Sequence, residues 1–402
     1  FNVTVTDDDI NSIDKAIKDA KSSLLPTIIQ VKTTIGKYSV LAGKNTCHGR
    51  VFSKEEISEI KSKLDIRDIP FTVSNEVVVD FQKLISERCS NLKSEFESKM
   101  ENLDEATLEV LNSLINRDKK IELGHLDLDG ANMGDLSLRE ISSKVLNTLA
   151  NQSKLIFGGS ADLSSSTLTY LTDKGDFAAD DYNGRNIFFG VRESAMAGIA
   201  NVLALSGYRP FVSTYLAFSD YLKPALRLSS IMNLPVTYIF THDSVTVGQD
   251  GKTHQAVEQL VSLRATPNLD VFRPSDANEV IGSYKTIFEN NKPACIVLSR
   301  NKTALLETTS VPLTAKGAYV VYQEERKLDG IIIATGEEVD LAIDVCNTLK
   351  EKGYDLRVIS MVSIERYNLL SKEEKDIFDT VLMKPITLKK LHNFFKDSCG
   401  IE

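Results

Sequence analysis

Through the middle of the chain, short apolar runs alternate with segments of helical period. "LREISSKVLNTLAN" is amphipathic at helical spacing, and "KLIFGGSAD" after it is a short strand ending in a glycine pair. "NIFFGVRESAMAGIANVLALSG" reads as strand, turn, helix and glycine stop, and "LPVTYIFTHDS" is a largely apolar strand. "LDVFRPSDANEVIGSYKTIFEN" and "PACIVLSR" complete the set. Strands that are apolar along their whole length are buried on both faces. The pattern therefore predicts an α/β fold, with parallel sheets flanked by helices. Ligands in that architecture sit at the carboxyl ends of the strands.

Ahead of this region, "SLLPTIIQVKTTIG" predicts a helix end and then a buried strand over about 28–33, stopped by Gly36. "SKEEISEIKSKL" opens with a capping box, Ser53 three before Glu56. Residues from about Asp80 to Leu114 read as long polar helices with lysine and glutamate outside. "LDLDGANMGD" is rich in Asp, Gly and Asn and marks a boundary. A second boundary falls near "SVPLTAKGAYVV", beyond which "DGIIIATGEEVDLAIDVCNTLKEKGYDLRVISM" is another strand–helix–strand unit.

Composition narrows the function classes. The chain has 402 residues, 42% hydrophobic and 26% charged, which is ordinary for a soluble globular protein of two or three domains. A net charge of −9 argues against nucleic acid as a main partner. It leaves room for a small anionic substrate, since a local cluster of Arg and His can oppose the global sign. Cys47, Cys89, Cys295, Cys346 and Cys399 form no CxxC pair and point to a reducing compartment. No apolar run reaches membrane-spanning length. The chain starts at Phe1 and not at Met, so a targeting segment is not assessable.

The polar residues at strand ends are the candidates for chemistry. Ser160 and Asp162 follow one strand, Arg192 and Glu193 the next, and His242 and Asp243 another. Arg300 follows "CIVLS", while Asp250 and His254 lie in the loop beyond His242. Any one alone reads as a cap or surface residue; their coincidence on one edge raises the functional reading. Glu193 alone is a first-turn helix acid, favoured by the helix dipole. Tyr215, Phe218 and Tyr221, spaced by three, read either as a core stripe or as an aromatic wall for a flat ring. His48, in "NTCHGRVF", is by itself a surface residue, and His125 and His392 have no chemical context.

In order and spacing, "GGSADLSSSTLT", "GRNIFFGVRESAMAGIANVLALSG", "STYLAFSDYLKPALRLSS", "THDSVTVGQDGKTHQ", "VFRPSDANEV" and "CIVLSR" resemble the transketolase family. "TTIGKYSVLAGKNTCHG" resembles the end of that family's diphosphate-binding domain. The resemblance implies a thiamine diphosphate enzyme of the pentose phosphate pathway, cytoplasmic, moving a two-carbon ketol unit between sugar phosphates. It also implies three α/β domains, a homodimer with sites at the subunit interface, and Mg2+ (or Ca2+) on the diphosphate. Neither nucleic acid nor membrane is an implied partner. By position, Glu193 matches the glutamate on the cofactor's pyrimidine ring, whose protonation favours the tautomer that removes the thiazolium proton. Tyr215, Phe218 and Tyr221 match the pyrimidine pocket, Ile35 lies at the thiazolium, and Asp162 matches an acid near the cofactor. His254 and His48 match histidines at the substrate's reacting oxygens, and Asp250 the carboxylate for a donor hydroxyl. Arg139, Ser166, His242 and Arg300 match the substrate-phosphate clamp.

The implied domains are a diphosphate-binding remnant over 1–66, a helical linker over 67–130, a pyrimidine-binding domain over 131–312 and a partial C-terminal domain over 313–402. Departures are Ser194 for the usual His, Gln249 and Lys252 for Glu and Pro, and Ser164 to Thr167 for Thr-Pro-Ser-Asn. None touches the acid or the bases. No Gly-Asp-Gly stretch with a downstream Asn occurs, so no residue here is assigned to metal. The chain is expected to be partial, with the metal and diphosphate ligands in a missing N-terminal part and a shortened last domain. Alternatives are dihydroxyacetone synthase, a deoxyxylulose phosphate synthase, or a transketolase-like module that only dimerises. "THDSVTVGQDG" lacks the arginine–alanine–glycine loop of the second. Retention of Glu193, His242, Asp250 and His254 argues against the third.

Overall fold

The computed structural model describes residues 1–116 and 128–375, which leaves His125, His392 and Cys399 outside the described residues. The chain divides into two units, Phe1–Asn102 and Leu103–Glu402. Among the described residues no helix is long and apolar enough to cross a membrane.

In the first unit, β1 (Asn2–Asp7) pairs in parallel with β2 (Thr27–Lys32), joined by α1 (Ile10–Lys21). A parallel pair needs such a crossover. β1 carries the alternation "NVTVTD", a signal that the reading by apolar runs passes over. The side chain of Asp9 caps α1 by accepting from the Ser12 N–H at 2.9 Å. α2 (Lys54–Lys63) starts at the expected capping box, with the Ser53 N–H donating to Glu56 at 2.8 Å. α3 (Asn75–Glu101) is long and has no buried residue.

The second unit opens with α4 (Glu105–Ile115) and α5 (Leu138–Gln152). β3 (Ile156–Ser160), α6 (Ser164–Thr167), β4 (Asn186–Phe188), α7 (Glu193–Leu205) and β5 (Arg209–Tyr215) follow. Next come α8 (Lys223–Ile231), β6 (Thr237–Thr241), α9 (Gln259–Arg264), β7 (Asp270–Phe272), α10 (Ala277–Glu289) and β8 (Ala294–Leu298). The six strands form one parallel sheet in the order β4-β3-β5-β6-β8-β7. All their carboxyl ends therefore lie on one edge.

Successive side chains leave this sheet on opposite faces. Phe211, Ile239, Ile296 and Leu298 join one core with Leu138, Ile141 and Val145 of α5 and Val280, Tyr284 and Phe288 of α10. Val212, Tyr238, Phe240 and Val297 join another with Met196 and Ala200 of α7 and Leu226 of α8. β5 lies at the centre of the sheet although its sequence, "RPFVSTY", opens on a charge and a proline. The Arg209 guanidinium is buried, but it donates to the carbonyls of Ile287, Phe288 and Asn290 at 3.1, 3.1 and 2.9 Å, capping the end of α10. The glycine pair is interior to β3 and does not form a turn. A Cβ on Gly158 would press into the Phe211 carbonyl, and one on Gly159 into that of Ile187.

The chain continues through α11 (Val311–Thr314), β9 (Ala318–Tyr322), β10 (Gly330–Ala334), α12 (Glu338–Glu351), β11 (Leu356–Met361) and α13 (Ile364–Asn368). β10 and β11 are parallel, as the strand–helix–strand pattern predicts, but β9 joins β11 antiparallel, so this sheet is mixed. Val339, Ala342 and Cys346 of α12 extend the core formed with α10.

Polar contacts fix this junction. Arg273, just past β7, is buried and donates to Asp243 at 2.8 Å, to the Thr335 carbonyl at 2.7 Å and to both oxygens of Glu338 at 2.5 and 3.0 Å. Gly336, at φ +66°, lies against the guanidinium, where any Cβ would collide with it. Burial pushes the Asp243 carboxyl up, opposed by the Arg273 charge. Arg273→Ala leaves that carboxylate buried without its partner, and the expected loss of stability is roughly 3–5 kcal/mol. With the cation gone, the folded-state value of Asp243 rises further above its unfolded value, so the loss grows as pH climbs from acid toward neutral. Urea denaturation at pH 5 and pH 7.5 checks this; an equal loss at both would contradict it.

Candidate active site

The carboxyl edge of the parallel sheet collects most of the sequence-predicted residues. Asp162 follows β3, Glu193 opens the helix after β4, and Tyr215 ends β5. His242 follows β6, and Arg300 lies two residues beyond β8. Arg139 sits in the first turn of α5, the helix that leads into β3. Asp162 at φ +64° and His242 at φ +58° hold the left-handed conformation, unusual for residues with a Cβ. Strain of this kind clusters at functional sites.

Glu193 is 7% exposed and is the first residue of α7, where the helix dipole favours a negative charge. Its carboxylate accepts no hydrogen bond from another described residue. The segment before it turns at Gly190, and the Arg192 guanidinium donates to the Phe189 carbonyl at 3.1 Å.

Tyr215 ends β5 and caps the 3-10 helix Leu216–Tyr221, which carries Phe218 and Tyr221, so the three do not form a stripe on an α-helix. Tyr215 and Phe218 stack with ring centroids 5.6 Å apart, and Phe218 and Tyr221 are 6.2 Å apart. Tyr215 is buried, Tyr221 is 65% exposed, and α7 packs against this turn. The His242 ring lies 3.8 Å from Tyr215, and the His254 ring lies 5.1 Å edge-on to Phe218 and 5.9 Å from Tyr215. Tyr215, Phe218, Tyr221, His242 and His254 thus form one cluster.

His242 is buried, and its Nδ1 lies 2.9 Å from the Thr241 hydroxyl. That hydroxyl has no other hydrogen-bond partner among the described residues, so the tautomer with its proton on Nε2 lets the hydroxyl donate to Nδ1 and leaves Nε2 as the ring's donor. Burial, with the charges of Arg139 and Arg300 adding to it, lowers the imidazole to about 4. His254 Nδ1 makes the matching contact with Thr253 at 2.8 Å, in a more exposed setting.

Arg139 donates to the Ser166 carbonyl at 2.7 Å, so these two predicted partners meet. Arg300 Nη1 lies 3.9 Å from Asp250, with both side chains part-exposed. A pair that long and that wet contributes little and yields readily to a stronger anion. Asp162 is exposed. Ser160 and Asp243 serve the fold: Ser160 donates to the Ser213 carbonyl at 2.9 Å, and Asp243 pairs with Arg273 at 2.8 Å. Ile35 and His48 belong to the first unit. Ile35 is 46% exposed beside a turn at Gly36, and His48 is exposed at the end of the 3-10 turn Asn45–Cys47. Among the described residues no group of three or more His, Cys, Asp or Glu is placed to hold a metal. Thr241, Arg273 and Glu337 were not among the predicted residues, since only their tertiary partners mark them.

An aromatic stack, a buried helix-start acid and two histidines share one strand edge, an arrangement with room for a flat ring beside titratable groups. The thiamine diphosphate-binding domain of transketolase matches residues 1–120, the transketolase pyrimidine-binding domain residues 134–304, and the transketolase-like C-terminal domain residues 317–390. The probable transketolase of Streptococcus pneumoniae is 38% identical over 369 residues, covering 90% of this chain and 56% of that protein. The transketolase of Leishmania mexicana superposes with a TM-score of 0.84 at 31% identity, over 93% of this chain and 57% of that one. A Pichia stipitis transketolase in complex with sedoheptulose 7-phosphate superposes with a TM-score of 0.82 at 32% identity, over 93% and 58%. The chain belongs to the transketolase family. It spans a little over half the length of the relatives it matches.

One test concerns His242. Its imidazole is expected to stay neutral with the proton on Nε2 from about pH 5 upward, titrating near 4. The folded-state value lies below the usual one of about 6.5, so stability falls as pH drops through that window. Nitrogen-15 NMR of the imidazole reads tautomer and titration together. A midpoint near the unperturbed value would overturn both.

Proposed function

We propose that the chain serves in transfer of a two-carbon ketol unit from a ketose phosphate to an aldose phosphate, with thiamine diphosphate as cofactor. The observation that carries this is Glu193: a buried carboxylate with no hydrogen-bond partner among the described residues, on the edge that holds the Tyr215–Phe218 stack. That arrangement fits a flat, basic heterocycle whose ring nitrogen shares a proton with the Glu193 carboxyl group. When bound, thiamine diphosphate supplies a nucleophilic carbon and an electron sink. Glu193 holds the proton at the pyrimidine nitrogen, and Tyr215, Phe218 and Tyr221 hold the ring's plane. Asp162 faces the cofactor. His254 moves protons at the substrate's reacting oxygens, and Asp250 accepts a donor hydroxyl. Arg139, Ser166, His242 and Arg300 take the phosphate, and the guanidinium forks donate paired charge-assisted hydrogen bonds.

The same reading assigns Ile35 and His48 to the thiazolium and to the reacting oxygens, in a homodimer where each copy's first unit serves the other's site. It keeps the domain limits 1–66, 67–130, 131–312 and 313–402. Mg2+ or Ca2+ would accompany the diphosphate on ligands that the described residues do not supply. Dihydroxyacetone synthase and deoxyxylulose phosphate synthase chemistry are not favoured, because the named relatives are transketolases.

Glu193→Gln keeps the shape and removes the titratable carboxyl. Hydrogen–deuterium exchange at the thiazolium carbon of bound cofactor is expected to slow by roughly 10²–10⁴-fold. Unchanged exchange would reduce Glu193 to a helix-start acid.

Arg300→Ala is expected to weaken ribose 5-phosphate by roughly 1.5–3 kcal/mol, the size of a hydrogen bond to a charged group. Hydroxypyruvate, which has no phosphate, should keep its Michaelis constant. Equal weakening of both would make Arg300 a structural residue.

A further inference from the structure

Two consecutive acids begin α12, on the far side of the sequence from the catalytic edge. Glu338 is anchored by Arg273, which itself holds Asp243, the neighbour of His242. The Gly336 N–H also donates to the Arg273 carbonyl at 3.0 Å. This grip leaves the start of α12 little freedom.

Glu337 is thereby fixed against two other segments. Asn301, next to Arg300, donates through its amide to Glu337 at 3.0 and 3.3 Å. Thr246, in the loop that ends at Asp250, donates its hydroxyl to Glu337 at 3.3 Å. The two are joined directly, Asn301 to the Thr246 hydroxyl at 3.1 Å. One carboxylate therefore ties together the segments that bring Arg300 and Asp250 within 3.9 Å of each other.

We propose that Glu337 is a positioning residue for the substrate-phosphate site: through Asn301 and Thr246 it sets where Arg300 and the Val245–Asp250 loop stand. The C-terminal domain thus shapes specificity for phosphorylated sugars without touching them. This rests on the assignment of Arg300 to phosphate. Arg300 is part-exposed, and among the described residues its guanidinium meets only Asp250. Its direction toward a ligand therefore depends on the segment that carries it. A polar contact that holds such a segment contributes to binding by pre-organisation, not by a contact of its own.

The test uses the intact enzyme and three variants, Glu337→Ala, Asn301→Asp and Arg300→Ala. Glu337→Ala removes the tie, and Asn301→Asp sets a carboxylate against a carboxylate from the other side. Each is expected to weaken ribose 5-phosphate about three- to tenfold, the size of one such hydrogen bond. Calorimetric binding of ribose 5-phosphate and its Michaelis constant should both show the loss. For Glu337→Ala and Asn301→Asp, the Michaelis constant for hydroxypyruvate, which has no phosphate, should change less than that for ribose 5-phosphate, and the melting temperature should hold. The double variant Glu337→Ala/Arg300→Ala should be no weaker than Arg300→Ala, because both act through one side chain. If Arg300→Ala weakens ribose 5-phosphate but Glu337→Ala and Asn301→Asp do not, the positioning role is overturned and the phosphate assignment stands. If Arg300→Ala itself leaves ribose 5-phosphate binding intact, the phosphate assignment fails and the positioning role with it.

Discussion

The buried guanidinium of Arg273 is the contact on which the second unit turns. It satisfies Asp243 beside the catalytic edge and Glu338 on the last helix pair at once, and a backbone carbonyl takes another of its protons. Charges of this kind are stable only as complete sets. Because the set joins two sheets, the mixed C-terminal sheet cannot shift without exposing Asp243. Because Asp243 follows His242 directly, the strained backbone of that histidine is held by the same set. Glu279 adds a second buried tie at this junction, accepting from Tyr319 and Ser360 at 2.7 and 2.6 Å.

Around this frame the site divides its labour by environment. One histidine, His242, is buried and held neutral, with its Nδ1 against the Thr241 hydroxyl. The other sits in a wetter loop, hinged on glycines at 248 and 251, both at φ +76°. Under the proposed function, the fixed side chain suits a phosphate whose position does not change, and the looser one suits oxygens whose bonds do.

Much of this was legible in the sequence where burial is uniform along an element. The strands "LIFGG", "TYIF" and "CIVL" are apolar enough to be read directly, and the capping box at Ser53 needed no tertiary contact. β5 was not legible. Its Arg209 and Pro210 resemble a loop, and Ser213 and Thr214 are buried polar residues, with Ser213 paired to hydroxyls at Thr167 and Thr169. β9 runs antiparallel because it returns along the sheet without a crossover helix, which periodicity does not encode. The gathering of the candidate residues was legible because strand ends meet on one edge. Thr241, Arg273 and Glu337 were not, since each acts through a partner distant in sequence or through a hydroxyl's geometry.

The unpaired carboxylate of Glu193 carries a consequence for how long the protein survives unliganded. A side chain that finds its partner only in a ligand favours the liganded fold over the empty one. A ligand that completes the pair stabilises the folded state by mass action, more so as its concentration exceeds its dissociation constant. Under the proposed function, a ligand that fills this place lengthens the life of the folded chain, because unliganded chains are the ones a protease reaches first.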